Sequence, residues 1–331
     1  MNFISTIEYS QEELEKILKQ AMKYKNEKNK MTKELAGKTL AALFFNPSTR
    51  TRTSFDVALY QLGGHMMTLE PGKGSWGIEV KEGIVMDGDA EEHIKDATRV
   101  LNRYCDGIAI RAFPPFKNWE EDKKDLLINA MVKYSTKPII NMETIVHPCQ
   151  ALAMMMTLKE KMKTVKRKKM TILWGYHPKA LNTAVANSAA LIAGQFGMDV
   201  TLAHPKGYDL DPFFVEKTKE FCKKNGSVFT IVNDPDEGVK GADFVYVKSW
   251  GSLQHYGQFD KFKKEHDKNK NWVLDANRSK KTNNGYFSHC LPLRRNMNVT
   301  DAVIDSKNSL IIEEAENRLW VQKALLAKLL K

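Results

Sequence analysis

Short apolar runs alternate with amphipathic stretches along the whole chain, the pattern of stacked helix and sheet layers. In the first half, Leu40–Phe45, His65–Leu69, Gly107–Arg111 and Pro138–Asn141 read as strands. Helical periodicity falls at Gln11–Tyr24, Ser54–Leu62, Glu91–Tyr104, Trp119–Lys133 and Cys149–Lys163. Ser10 and Glu13 form a capping box for the first helix. A basic stretch, Thr164–Lys169, interrupts the alternation, which then restarts. Strands are expected at Met170–Trp174, Asp199–Ala203, Ser227–Ile231, Phe244–Val247 and Trp272–Leu274, with helices at Leu181–Phe196, Pro212–Lys224 and Glu313–Leu330. The pattern predicts an α/β protein of two domains, each with a central parallel sheet flanked by helices, hinged in the 140–170 region.

The junction after Leu40–Phe45 carries the densest chemistry. Asn46-Pro47 makes a turn, and Ser48, Thr49, Arg50 and Thr51 fall where a loop opens a helix. Free backbone N–H groups, the positive end of the helix dipole, three hydroxyls and a guanidinium can converge there on an anion. Arg50 and Arg52 add charge-assisted bonds of a geometry suited to phosphate oxygens. A plain capped helix needs one hydroxyl, not three and an arginine, so a phosphate site is the reading.

Length, charge and cysteines narrow the setting. At 331 residues the chain can build two domains, each with its own core. The start, Met-Asn-Phe-Ile-Ser-Thr, lacks a basic then apolar leader, and no apolar run approaches bilayer length, so no membrane partner is expected. Cys105, Cys149, Cys222 and Cys290 lack C-x-x-C spacing and are expected to be reduced and metal-free, which suits the cytoplasm. The net charge of +11 raises nucleic acid as a partner. Much of that charge is lysine in Lys19–Lys33, Lys159–Lys169 and Lys261–Lys270, partly interleaved with acids, which reads as solvated faces. Nucleic-acid binding is the minor alternative, and the positive potential is expected to steer anionic substrates. No G-x-G-x-x-G or Walker A string occurs, so neither dinucleotide nor ATP is expected, and no cofactor.

Three ordered segments carry a resemblance. Ser48-Thr49-Arg50-Thr51-Arg52 resembles the carbamoyl-phosphate motif of the transcarbamylase family, which includes aspartate and ornithine carbamoyltransferases. His147-Pro148-Cys149-Gln150 and His289-Cys290-Leu291-Pro292-Leu293-Arg294-Arg295 match the same family in the same order, from about residue 35 to the C-terminus. The resemblance implies carbamoyl transfer without metal or covalent nucleophile. Ser48, Thr49, Arg50 and Thr51 then hold phosphate, and Arg111 reaches phosphate and carbonyl oxygen. His147 donates to the carbonyl oxygen, Gln150 accepts from the carbamoyl NH₂, and Cys290 and Leu291 offer backbone carbonyls next to a cis-proline turn. Alone, His147 reads as a helix-start residue satisfied by backbone, Arg111 as a strand-end surface residue, and Cys149 as a packing residue. The resemblance further implies a discontinuous first domain, 1–150 plus 314–331, binding carbamoyl phosphate, with 151–313 binding the amine. It places Arg318 near the cleft and a trefoil knot in the second domain. It also implies a homotrimer with sites at subunit interfaces, Trp76 in the Gly72–Gly77 loop crossing to a neighbour.

The acceptor amine is read from departures. Ornithine-using members carry Asp-x-x-x-Ser-Met-Gly, where this chain has Tyr246-Val247-Lys248-Ser249-Trp250-Gly251. A lysine there repels an α-ammonium and attracts an α-carboxylate, as an α-acylated ornithine requires. Asn141-Met142-Glu143, His177-Pro178-Lys179-Ala180-Leu181-Asn182 and Ser249-Trp250-Gly251 resemble the members that act on N-acetylornithine, although Ala180 stands where close relatives have proline. Glu143, Lys248, Leu291, Glu91, His177 and Asn182 are the implied acceptor contacts. A sister group using N-succinylornithine is expected to have proline after Gly-Asp-x, where this chain has Gly88-Asp89-Ala90-Glu91. The Glu91 carboxylate opposes a succinyl carboxylate, and it also suits a helix N-terminus. The expected reaction is carbamoylation of N-acetylornithine in arginine synthesis, with N-succinylornithine or ornithine as alternatives.

Overall fold

Residues 1–27 and 31–331 are described by the computed structural model; Lys28 and Lys30 of the first basic stretch lie outside the described residues. The chain forms two compact units, Met1–Pro115 with Glu120–Cys149 and Arg318–Lys331, and Phe116–Trp119 with Gln150–Asn317.

The first unit is built on β1 (Thr39–Phe44), β2 (His65–Leu69), β5 (Gly107–Arg111) and β6 (Ile139–Glu143), all parallel in the order β2-β1-β5-β6. The short β3 (Ile78–Glu79) and β4 (Glu92–His93) pair separately. Leu40–Leu43 and Ile108–Ile110 are buried without alternation, as strands covered on both faces must be. Beyond β6 the sheet edge is occupied by Phe3, whose N–H donates to Ile139 O at 2.8 Å and whose carbonyl accepts from Asn141 N–H at 2.9 Å.

The second unit has β7 (Lys169–Trp174), β8 (Asp199–Ala203), β9 (Phe229–Val232), β10 (Phe244–Lys248) and β11 (Tyr286–Ser288), parallel in the order β11-β10-β7-β8-β9. Its helix Ala184–Gln195 is buried throughout, which its small side chains permit. The capping box at Ser10 and Glu13 is present.

Four expectations change. The helix expected at Glu91–Tyr104 begins at Ile94, because Glu92–His93 pairs as β4 and the His93 side chain caps the helix, accepting from Lys95 N–H. The helix expected at Ser54–Leu62 begins at Thr49, because Ser48 caps it with its hydroxyl accepting from Thr51 N–H at 3.2 Å. The helix expected at Trp119–Lys133 splits into Trp119–Asp122 and Leu126–Tyr134, parted by Asp125 in the left-handed region at φ 47°. Trp272–Leu274 is not a strand. Its side chains enter the core from a loop, and Leu274 makes only an isolated bridge to Val299. In both units the chemistry-bearing residues follow or end strands, on the side where parallel sheets bind ligands: Ser48 after β1, Arg111 ending β5, Glu143 ending β6, Lys248 ending β10 and Cys290 after β11.

Candidate active site

The residues singled out by sequence fall into two sets, one on each unit. On the first unit Ser48, Thr49, Arg50 and Thr51 occupy the mouth of helix Thr49–Gln61. Thr51 is buried, Ser48 and Arg50 half-buried, and Thr49 exposed. The Thr51 hydroxyl accepts from Arg318 Nη2 at 2.7 Å, so a residue of helix Ile311–Leu329 is fixed against the helix mouth. Arg318 is fully buried. Burial disfavours its charge, Cys149 and Glu143 support it, and the guanidiniums of Arg111 and Arg50 oppose it. Arginine keeps its proton in such a setting, so the cluster gains whenever an anion neutralises it.

Arg111 is buried at the end of β5, with Nη1 bonded to Glu143 and its guanidinium carbon 4.7 Å from the centre of the Phe113 ring. His147, also buried, has Nε2 3.6 Å from a Glu143 oxygen. One carboxylate therefore orients both a guanidinium and an imidazole. Arg52 pairs with Glu70, lies 5.0 Å from the Phe44 ring centre and lines one cleft with Ser48 and Thr49.

Two further residues of this unit lie in an open stretch. Gly72, at φ 78°, turns the loop that carries Trp76, whose side chain is 67% exposed. Glu91 is exposed just ahead of β4 and the helix Ile94–Tyr104.

On the second unit Lys248 is 9% exposed, and its ammonium donates to Ser249 O at 2.9 Å. His177 is half-buried in the loop after β7. Burial lowers its pKa, and the charges of Arg294, Lys248 and His266 lower it further. Arg294 and Lys248 therefore both act electrostatically on the one imidazole. Asn182 is buried, its Oδ1 accepting from Ala184 N–H at 3.1 Å at the start of helix Ala184–Gln195. Cys290 and Leu291 follow β11. Leu291 has φ 54°, its peptide to Pro292 is cis, and its N–H donates to His289 Nδ1 at 2.9 Å. Gln150 is buried and donates from Nε2 to Glu314.

Sequence reasoning missed Arg294 and Glu314. Arg294 sat inside a recognised segment beside Arg295, and nothing local separates them. In the structure both are exposed, and Arg295 is held by Asp301 and Asp305 at 2.7 Å each. All four cysteines are free, with Cys105, Cys149 and Cys222 buried and Cys290 half-buried. Burial pushes the Cys149 thiol up to about 12, with Arg318 working against the rise, which agrees with a packing role. Among the described residues no helix is long and apolar enough to cross a membrane, and no cluster of His, Cys, Asp or Glu is arranged to hold a metal ion.

The family model described as "Aspartate/ornithine carbamoyltransferase, carbamoyl-P binding domain" matches residues 1–160, and the one described as "Aspartate/ornithine carbamoyltransferase, Asp/Orn binding domain" matches 168–329. The chain is 49% identical to the N-acetylornithine carbamoyltransferase of Xanthomonas campestris pv. campestris over 99% of its own length and 97% of the relative's. It is 36% identical to the N-succinylornithine carbamoyltransferase of Bacteroides fragilis over 96% of each chain. A crystal structure of acetylornithine transcarbamylase complexed with acetylcitrulline superposes with a TM-score of 0.97 at 48% identity, covering 99% of both chains.

Proposed function

Because the chain belongs to the aspartate/ornithine carbamoyltransferase family, we propose that it transfers the carbamoyl group of carbamoyl phosphate to the δ-amine of N-acetyl-L-ornithine, giving N-acetyl-L-citrulline and phosphate. The δ-nitrogen lone pair attacks the carbonyl carbon and the C–N bond forms. Negative charge collects on the carbonyl oxygen, and the C–O bond to phosphate then breaks. The surplus proton of the amine leaves with the phosphate.

On the first unit Ser48, Thr49, Arg50 and Thr51 bind the phosphate, with Arg318 and Arg111 supplying charge at their backs. Arg111 and His147 donate to the carbonyl oxygen as it becomes an oxyanion, each such donor being worth about 3 kcal/mol in the transition state. Glu143 keeps both in orientation and contributes to holding the acceptor. On the second unit the Gln150 oxygen and the carbonyls of Cys290 and Leu291 receive N–H groups, while Lys248 and Arg294 take the acceptor's α-carboxylate. His177 and Asn182 complete that pocket, and Glu91 is the residue that selects the acyl group.

The observation that carries the acceptor is Lys248, buried at the end of β10 with a second cation nearby. An α-ammonium is repelled there and an N-acylated ornithine is not. The 49% identity to an N-acetylornithine enzyme against 36% to an N-succinylornithine enzyme points the same way. Measuring citrulline-type product from carbamoyl phosphate with N-acetylornithine, N-succinylornithine and ornithine tests it. N-acetylornithine should give by far the highest kcat/KM; a preference for either other amine overturns the assignment.

This chemistry serves arginine synthesis through acetylated intermediates, in the cytoplasm, and the active form is a homotrimer. The support for the trimer is Trp76 at 67% and Val85 at 81% exposed in one open stretch of the first unit, apolar surface that a neighbouring copy would cover. Mixed oligomers of inactive Trp76→Ala and inactive Arg50→Ala subunits should regain activity. Mixed oligomers that stay inactive would mean that Trp76 serves its own chain.

A further inference from the structure

Glu314 is a glutamate in the first turn of helix Ile311–Leu329, 1% exposed, and it makes no part of any sequence motif discussed above. Its carboxylate gathers three donors. Gln150 Nε2 and the Ser288 hydroxyl bond to it, the former on Oε1 and the latter on Oε2, and the Tyr246 hydroxyl reaches Oε1 at 2.8 Å. A carboxylate only accepts, so the Gln150 amide must turn its NH₂ toward Glu314, leaving Oε1 as the end that can accept from another N–H. The other two donors stand two residues ahead of functional candidates: Ser288 before Cys290 and Tyr246 before Lys248.

We infer that Glu314 is a positioning residue for carbamoyl transfer: it fixes the orientation of Gln150 so that the amide oxygen, and not the amide nitrogen, meets the carbamoyl NH₂. The inference rests on the proposed reaction. Turning Gln150 over would set an N–H against an N–H, and the carbamoyl group would lose an acceptor when its plane must be held for attack. The same carboxylate holds the middle of β10 through Tyr246 and the end of β11 through Ser288.

Glu314→Gln has nearly the same shape but offers both a donor and an acceptor, so Gln150 is free to invert. The expected result is a fall in kcat of at least tenfold, with KM for N-acetylornithine changed less than threefold. In a Gln150→Ala background the same substitution should cost less than threefold, since there is no amide left to orient. A merely structural Glu314 would lower activity equally in both backgrounds, and that outcome, or an unchanged kcat in Glu314→Gln, overturns the inference. Should Glu314→Gln not fold, Glu314→Asp, which keeps the charge but withdraws it by one methylene, goes through the same cycle with the same expectation. Wild-type protein lacking turnover with any of the three amines overturns the carbamoyl-transfer reading itself and the inference with it. Wild-type turnover with no coupling between positions 314 and 150 overturns the inference alone.

Discussion

The two units carry their candidate chemistry in contrasting ways. In the first, the residues are mostly guanidiniums packed near one another, with Arg318 buried beside Thr51 and Arg111 held by Glu143. In the second, they are backbone carbonyls after β11, one oriented amide and a buried lysine. Under the proposed reaction, the difference follows the two substrates. A phosphate dianion that leaves needs fixed positive charge, and the cost of crowding guanidiniums is returned only when the anion arrives. An amine that must attack has to be uncharged, so it is better received by neutral acceptors, with a cation kept for its carboxylate.

The largest expected effect tests the first half of that contrast. Arg50→Ala should lower kcat/KM for carbamoyl phosphate roughly a thousandfold, because alignment and leaving-group charge are lost together. Urea unfolding should move by no more than about 0.5 kcal/mol, as the side chain is only half-buried. Near-normal kinetics in a folded variant would dissolve the contrast.

Reversing the charge of the second unit comes next. Lys248→Asp should reduce kcat/KM for N-acetylornithine roughly a hundredfold and raise that for ornithine, whose α-ammonium then meets a carboxylate. Steady-state kinetics with both amines check it, and equal losses on the two would show that Lys248 does not read the α-substituent.

A finer test concerns the acyl group. Glu91→Pro should raise the N-succinyl to N-acetyl ratio of kcat/KM about tenfold, the effect of removing roughly 1.4 kcal/mol of like-charge repulsion. An unchanged ratio would assign acyl selection to another residue.

The last test touches stability and not turnover, and compares a buried acid with a half-buried one. Glu314 has three donors, whereas Asp125 of the first unit, in its left-handed turn, receives the Thr144 hydroxyl and a backbone N–H from Ile145. Burial outweighs those bonds and pushes the Asp125 carboxyl up from 3.8 to about 6. The folded state therefore holds this proton more tightly than the unfolded state does. Its contribution is fully present below pH 4 and lost as pH rises through 6. Asp125→Asn should remove a decline of about 3 kcal/mol across that window, seen in urea unfolding at a series of pH values.

How much of this could be read in the sequence depended on distance along the chain. The Ser48–Thr51 cradle is local, so its hydroxyls, its arginine and the turn before it announced it together. Even so, the start of its helix is hard to read, because three threonines at its start are weak helix formers and the Ser48 cap offsets them. Lys248 is legible only against the family motif, where it stands in place of the aspartate that ornithine-using members carry. Contacts spanning hundreds of residues, such as Arg318 with Thr51 or Glu314 with Gln150, leave no periodic trace. Arg294 and Arg295 show the limit most plainly: adjacent and identical, they part only where Asp301 and Asp305 fold back on one of them. Trp272–Leu274 failed for the opposite reason, since three apolar residues look alike in a strand and in a loop that plugs a core.

The unequal burial of the four thiols makes the molecule its own labelling substrate. Burial holds Cys105, Cys149 and Cys222 in the unreactive protonated form, and Cys290 alone is half-exposed. A maleimide dye at neutral pH has one address on the folded chain, in the candidate site segment after β11. Its rate of attachment reports occupancy of that segment, and a stoichiometry rising from one toward four reports unfolding, with no cysteine engineered in or out.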